Sequence, residues 1–491
     1  MVTTLTRDRT TGKLSLNGAP AVLRGGAYDL FFDADGSPEL VGKLGLDGII
    51  RPHLLGADDY RASGGNPCQP ETDKAVRLLP KSWAETGNDF SALFTEMRRT
   101  RCNFLRVFLT GGTLVGRMGP TSIFPFRRTL VPAGARYDVR GAVERGQWEE
   151  AFFTRLRAFV QQADAAGVVV QLSLFNYYDL VPDPAQGTTK TWSLSPWNAK
   201  NSLDAEWGKA HLIPDATGAE LRQREFVTPP AGRRTRLVQQ KLIVRVMQAV
   251  AGFRNVVLEA MNEPHQVTAA ADLARVAEFD SFVVGTIIRQ RPVTGSAALV
   301  SVNASFVFPA NGAPPGKSDV DVWADRPDLP HYADVDLVSY HGLTAMGKQS
   351  FAVCGGVAMA RVDAASIGAR ADQHAAAHPR TALLFSTDAV LVQKFEHVYL
   401  GGAIGMNVRD GQIRPAPESS SLEAQLLRSH VYHWALRCFQ RGKGAELGRI
   451  HFHNHSTFRQ ALVQISKAAD AAGLQPAIAL SAAALDQPDT V

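Results

Sequence analysis

Eight short apolar runs alternate with segments of helical period, and this alternation predicts a (β/α)8 TIM barrel. The connections that follow the runs are long and those that precede them short, which places long strand-to-helix loops at the C-terminal face. The runs are Ala21–Ala27, Asn103–Leu109, Val168–Phe175, Asn255–Ala260, Ala298–Val302, Val335–Tyr340, Thr381–Phe385 and Gly448–Phe452. Between them, apolar residues recur three and four apart, the stripe a helix needs to lie on a sheet. One such stripe is Phe90, Leu93, Phe94 and Met97; the next is Trp148, Phe152, Leu156 and Phe159. Others cover about 234–252, 270–289, 363–377, 421–441 and 457–471. Residues 303–334, rich in Pro, Gly and Asp, stand where the fifth helix belongs and read as a loop with a short or missing helix.

The long connections are 28–88, 110–146, 176–233 and 386–420. Loops of that length in a compact domain are usually functional. The opposite links, as in "DAAGVVV" and "AGFRNVV", are short. The asymmetry favours an enzyme with a deep cleft over a bare scaffold. The whole chain, 1–491, reads as one barrel domain, with residues 1–19 a hairpin capping its floor and 474–491 a peripheral Ala-rich tail. There is no internal repeat and no low-complexity tract.

Composition narrows the class. The 491 residues are 45% hydrophobic and 20% charged, which excludes disorder as the dominant state. Lys and Arg number 52 against 47 Asp and Glu, too small a surplus for an obligate nucleic-acid binder. No run approaches the roughly 18 uninterrupted apolar residues of a membrane span. The start, MVTTLTRDRT, lacks the apolar core of a secretory leader, so a cytoplasmic location is expected if the sequence is full length. Cys68, Cys102, Cys354 and Cys438 have no CxxC spacing, which argues against structural zinc and a disulfide framework. Oligomeric state is left open.

The chemistry concentrates at "NVVLEAMNEPH", residues 255–265. The fourth run ends in Asn262 and Glu263, and Pro264 cannot continue a sheet ladder. Glu263 is therefore expected at the strand tip, facing the barrel mouth. A carboxyl buried there has its pKa raised and serves as a general acid at neutral pH. Asn262 beside it is placed to hydrogen-bond a sugar hydroxyl. The plainer alternative is a Glu that only ends a strand.

Trp192, Trp197 and Trp207 fall in one mouth loop that Tyr177 and Tyr178 begin. Flat apolar sugar faces stack on such rings, with polar partners at the rim. The plainer alternative is that the rings only pack the loop onto the barrel. Trp148 and Trp434 sit in helical patterns and read as core. Asp29 and Asp179 follow the first and third strands as lesser carboxylate candidates.

These residues resemble those of glycoside hydrolase clan A, most closely the cellulase-like family 5 enzymes. There the acid/base Glu follows an Asn at the end of strand four, often in an "xExxNEP" string; here the residues are Glu259, Ala260, Met261, Asn262, Glu263 and Pro264. "LNGAPAVLRGGAY" at strand one, "NFLRVFL" at strand two and "SPWNAKN" after strand three extend the resemblance over about 14–460. The resemblance implies a β-linked oligo- or polysaccharide as substrate, no cofactor and no metal. It implies that Arg106 helps hold a nucleophile and that Tyr340 and His341 line the sugar site.

The chain departs from the family at strand seven. A retaining enzyme of the clan uses a nucleophilic Glu there, whereas "TALLFSTDAV" offers only Asp388, one methylene shorter. Three readings stay open: Asp388 attacks, Asp388 activates a water, or Thr387 replaces the nucleophile and the barrel binds glycan without cleaving it. Carboxyl separations of about 5–5.5 Å suit the first and about 6.5–9.5 Å the second. Strand eight adds "RIHFHNHS", with His451, His453 and His455 at alternate positions and thus on one side of a strand. Such imidazoles suit a transition metal and a metal-dependent hydrolase. The alternative is that His453 and its neighbours hydrogen-bond sugar hydroxyls in place of the family's strand-eight Trp.

Overall fold

A strand that is hydrogen-bonded on both sides and covered on both faces must be apolar nearly throughout. Val169–Asn176 and Val256–Asn262 meet that condition, each buried from end to end. The computed structural model describes residues 2–28, 30–31, 88–99, 102–110, 123–131, 134–180, 191–262, 264, 270–304, 328–340, 349–353, 357–361, 376, 380–386, 406–409, 412–415 and 444–449. Its barrel strands one to eight are Arg24–Tyr28, Phe104–Phe108, Val169–Asn176, Val256–Asn262, Leu299–Ala304, Leu337–Tyr340, Ala382–Ser386 and Gly444–Arg449. Each pairs in parallel with the next, and strand eight pairs with strand one to close the ring. The fold is a (β/α)8 barrel.

Helices Ser91–Arg99, Glu150–Ala166, Thr235–Ala249 and Ala270–Thr294 precede strands two to five. Local chemistry sets the limits of the second. The Glu149 carboxylate accepts from the Ala151 N–H at its start, and Gly167 ends it in the left-handed region at φ 76°. Between them Phe152, Leu156, Phe159 and Ala163 form the buried stripe. The expected helices at 421–441 and 457–471, and all but residue 376 of 363–377, lie outside the described residues.

Two features differ from the sequence expectation. Strand eight runs over Gly444–Arg449, ahead of the apolar run at 448–452. "GAELGR" has one large apolar side chain, so hydropathy did not mark it; its pairing to strand one comes from backbone groups, with a register shift between Glu446 and Arg449. His451, His453 and His455, the alternate imidazoles of the sequence expectation, lie outside the described residues. The second difference is a four-stranded sheet outside the barrel. Hairpin strands Gln349–Val353 and Val357–Arg361, after strand six, join Met406–Arg409 and Gln412–Pro415, after strand seven. The expected loop 386–420 thus carries structure of its own.

The barrel floor is an apolar layer. Phe104, Val169, Val257, Leu337 and Ala382, one from each of five strands, cluster with Leu23, just ahead of strand one, and with Leu5, Leu14 and Leu16. Those three leucines belong to Leu5–Arg7 and Leu14–Leu16, which pair antiparallel across the bottom of the barrel. Arg7 pins this hairpin: its Nε lies 3.0 Å from Asp336 Oδ1, both side chains 2% exposed, and its Nη1 donates to the Val335 carbonyl at 2.9 Å. Asp336 in turn accepts from the Val300 N–H at 2.9 Å.

Truncating Leu16 (2% exposed) to Ala is expected to lower stability by about 2–5 kcal/mol, read as an earlier urea midpoint. Leu203→Ala, at a side chain 51% exposed, should shift it by less than about 0.5 kcal/mol. Equal midpoints for the two variants would show that the hairpin does not seal the floor.

Candidate active site

Two residues above the floor on strands two to six, the inward positions turn polar. Phe104 is followed by Arg106, Val169 by Gln171 and Ser173, Val257 by Glu259, Leu299 by Ser301 and Asn303, and Leu337 by Ser339. The period of two that puts the leucines and valines inside puts these inside as well. Arg106 and Glu259 are both fully buried. Glu259 Oε2 accepts from Arg106 Nε at 3.0 Å and Nη2 at 2.7 Å, and from the Ser173 hydroxyl. Its Oε1 accepts from Gln171 Nε2 at 2.8 Å and Asn303 Nδ2 at 3.3 Å. Gln171 Nε2 also donates to Ser339 Oγ at 2.9 Å. A buried ion pair is tolerated only when its geometry is good and further hydrogen bonds take up the remaining lone pairs, and here five donors converge on one carboxylate.

The pair reaches the mouth through Asn262, the last residue of strand four. Arg106 Nη2 donates to Asn262 Oδ1 at 2.6 Å, and Asn262 Nδ2 donates to Asn176 Oδ1 at 3.1 Å. Both ends of the Asn262 amide are thereby fixed, by strands two and three. The Arg106 guanidinium also lies 4.8 Å from the centroid of the Phe108 ring. Just past the strand tip, the Pro264 carbonyl accepts from the Gln223 side chain, tying the turn to helix Ala219–Val227.

Of the residues singled out from the sequence, Arg106 and Asn262 are brought into direct contact. Tyr340 ends strand six, in register with Ala304 and Phe385 of its neighbours. Glu263, His341, Asp388 and His453 lie outside the described residues. Two expectations are corrected. Trp197 is 1% exposed, with the rings of Phe126, Phe175 and Phe226 around it at centroid distances of 6.2, 5.9 and 4.9 Å. Trp192 is 4% exposed, with the Arg222 guanidinium 4.6 Å from its centroid. Its Nε1 donates to the Asp215 carbonyl at 3.1 Å. Rings so enclosed pack the loop onto the barrel and offer no face to a sugar.

Glu259, the acceptor at the centre of this network, is a residue to which the sequence reading gave no role. A signal existed: "NFLRVFL" and "NVVLEAM" each hold a single charge, of opposite sign, in an otherwise apolar strand. A lone charge at such a position needs a partner inside the barrel. Asp179, in the turn Tyr177–Asp179 after strand three, is another buried carboxyl. Burial pushes its pKa up to about 7, against a small lowering from the nearby Thr110 hydroxyl. Among the described residues no group of three His, Cys, Asp or Glu side chains is placed to hold a metal ion, and no helix is long and apolar enough to cross a membrane.

Among solved structures the chain is similar to a glycoside hydrolase family 5 mannosidase from Rhizomucor miehei, at 11% identity over 96% of this chain and 98% of that one, with a TM-score of 0.49. It is also similar to an endo-1,4-beta-mannanase from Rhizomucor miehei, at 9% identity over 97% and 100% of the two chains, with a TM-score of 0.44. A third similar structure is endo-glycoceramidase II from Rhodococcus sp., at 11% identity over 90% and 74%, with a TM-score of 0.40. No protein-family model matches the chain, and no curated protein matches it.

The raised pKa of Asp179 has a consequence for stability. The folded state holds this proton more tightly than the unfolded chain, whose value is near 3.8, so stability falls as pH rises from about 4 through about 7. Asp179→Asn mimics the protonated acid. Its melting temperature should match the parent's near pH 4 and exceed it above pH 7, by the equivalent of about 3–4 kcal/mol. A difference independent of pH would show that Asp179 titrates normally.

Proposed function

We propose that the chain is a glycoside hydrolase acting on a β-linked oligo- or polysaccharide, with Glu263 as acid/base and Asp388 as nucleophile. The observation that carries this reading is the fixed amide of Asn262. It ends strand four at the C-terminal mouth, held by Arg106 and Asn176, and the next residue is a carboxylic acid followed by proline. An amide locked at the floor of a cleft beside an acid is the arrangement needed to hold a sugar hydroxyl while the neighbouring glycosidic oxygen takes a proton.

In the first step Glu263 protonates the leaving oxygen while Asp388 attacks the anomeric carbon, giving a glycosyl-enzyme ester and a free alcohol. In the second, Glu263 removes a proton from water, which displaces Asp388 and restores both groups. Tyr340 and His341 line the cleft after strand six, and His453 reaches it from the segment after strand eight. Arg106 orients Asn262 and helps hold Asp388.

One observation favours a second reading, a barrel that binds glycan without cutting it. Strand seven ends at Ser386, so the first residue past its tip is Thr387 and Asp388 is the second, whereas Glu263 is the first residue past strand four.

The two readings separate on a panel of aryl β-glycosides. Glu263→Ala should lower kcat/KM on the order of 10²–10⁴-fold for 4-nitrophenyl glycosides and much less for 2,4-dinitrophenyl glycosides, whose leaving group needs no proton. Asp388→Ala should abolish turnover of both. An anomeric product with retained configuration, followed by NMR, identifies Asp388 as nucleophile; inversion makes it the base. Binding of oligosaccharide with no turnover on any substrate would leave only the second reading.

A further inference from the structure

We propose that the turn Tyr177–Asp179 is a proton-operated latch after strand three, closed while Asp179 is protonated and released when it ionises. The latch operates whatever reaction the barrel carries out.

Asp179 stands where a carboxylate is poorly served. Its side chain is 2% exposed, and its Oδ2 is enclosed without a hydrogen-bond partner. The hydroxyl beside it, Thr110 Oγ1 just past strand two, is enclosed and unpartnered as well. A neutral acid tolerates such a place at modest cost, whereas a carboxylate needs several donors or a cation. Among the described residues no cation meets that need. Arg222, on helix Ala219–Val227, donates to the Leu180 carbonyl and has Asp215 as its charge partner. Arg128 lies opposite Tyr137 in the antiparallel hairpin, and its charge acts on Tyr137 and Glu149. Tyr137 is itself buried, which raises its pKa beyond the usual phenol range, so it stays neutral while Asp179 titrates. Once ionised, Asp179 gains most by reaching water, and the turn that carries it has to open.

The turn can open while the strand stays in place. Strand three is paired in parallel on both sides as far as Asn176, which also holds Asn262. Beyond it, the Leu180 N–H donates to the Tyr177 carbonyl at 2.9 Å and closes the turn. Arg222 Nη1 ties it down through the Leu180 carbonyl at 3.1 Å. Opening breaks both bonds and exposes the Leu180 side chain, which is fully buried. That exposure keeps the latch shut while the acid is neutral. Because Asn176 adjoins the turn, release loosens the strand-three side of the Asn176–Asn262 contact first.

The sign of the effect follows from linkage. The closed turn holds the Asp179 proton up to about pH 7, whereas an open, hydrated carboxyl loses it near 3.8. Opening is therefore coupled to release of one proton, and its equilibrium constant rises with pH between those values and levels off above the higher.

Hydrogen–deuterium exchange of the full chain tests this, resolved to single amides by mass spectrometry and corrected for intrinsic rates. Leu180 reports the turn; Val170, whose N–H donates to the Asn255 carbonyl at 2.8 Å inside the sheet, reports the barrel. In the parent, Leu180 should exchange faster than Val170 at every pH. Its opening constant should rise roughly 50-fold from pH 5 to pH 7. Asp179→Asn, which cannot ionise, should keep Leu180 exchange level over that range. Thr110→Val removes the hydroxyl that favours the carboxylate, so the rise should continue to higher pH than in the parent.

A level profile in the parent, or a slope that survives in Asp179→Asn, overturns the latch. So does Leu180 exchange no faster than that of Val170, which marks unfolding of the whole barrel. Should Asp179→Asn fail to fold, Thr110→Val decides, since a rise that ends at the parent's pH overturns the latch.

Discussion

The buried pair of Arg106 and Glu259 constrains everything around it. Moving either charge out of water costs several kcal/mol, and mutual attraction offsets this only where geometry and hydrogen bonding are nearly complete. Arg106 comes from strand two and Glu259 from strand four, with Gln171 and Ser173 of strand three between them and Asn303 of strand five beyond. Four consecutive strands must therefore hold one register. A slip of one residue would turn every polar side chain outward and carry an apolar one into the layer.

This requirement divides the barrel into two levels with different duties. Below, Leu23, Phe104, Val169, Val257, Leu337 and Ala382 pack against the leucines of the N-terminal hairpin and contribute burial without direction. Above, hydrogen bonds contribute direction and little net stability. The hairpin belongs to the lower level: the buried ion pair between Arg7 and Asp336 ties it to the turn before strand six. Apolar burial is concentrated at one end of the barrel and the hydrogen-bonded polar layer lies toward the other.

Much of this was legible in the sequence. Seven of the eight strands lie within the apolar runs that marked them or extend one or two residues past them, because a strand covered on both faces has to be apolar. The eighth escaped because "GAELGR" joins the barrel through its backbone, and backbone pairing leaves no trace in hydropathy. The outer sheet of Gln349–Val353 with Gln412–Pro415 escaped for a related reason: its strands come from two loops far apart in the chain, and their pairing is not a local property. Trp197 and Trp192 show the limit of counting residue types. An aromatic in a mouth loop fits a sugar platform and a packing anchor equally well until the neighbours Phe126, Phe175, Phe226 and Arg222 are in place.

The sequence by itself determined the alternation of strand and helix, the position of Asn262, Glu263 and Pro264 at a strand end, and the presence of one charge each in strands two and four. These follow from periodicity and backbone chemistry that act over a few residues. Only the tertiary structure decided that the charge of Arg106 meets Glu259, 153 positions away, and that the same guanidinium reaches Asn262. The physical reason is closure. Which inward side chains share a layer depends on the stagger between strands around the ring, and that stagger is a property of the assembled barrel.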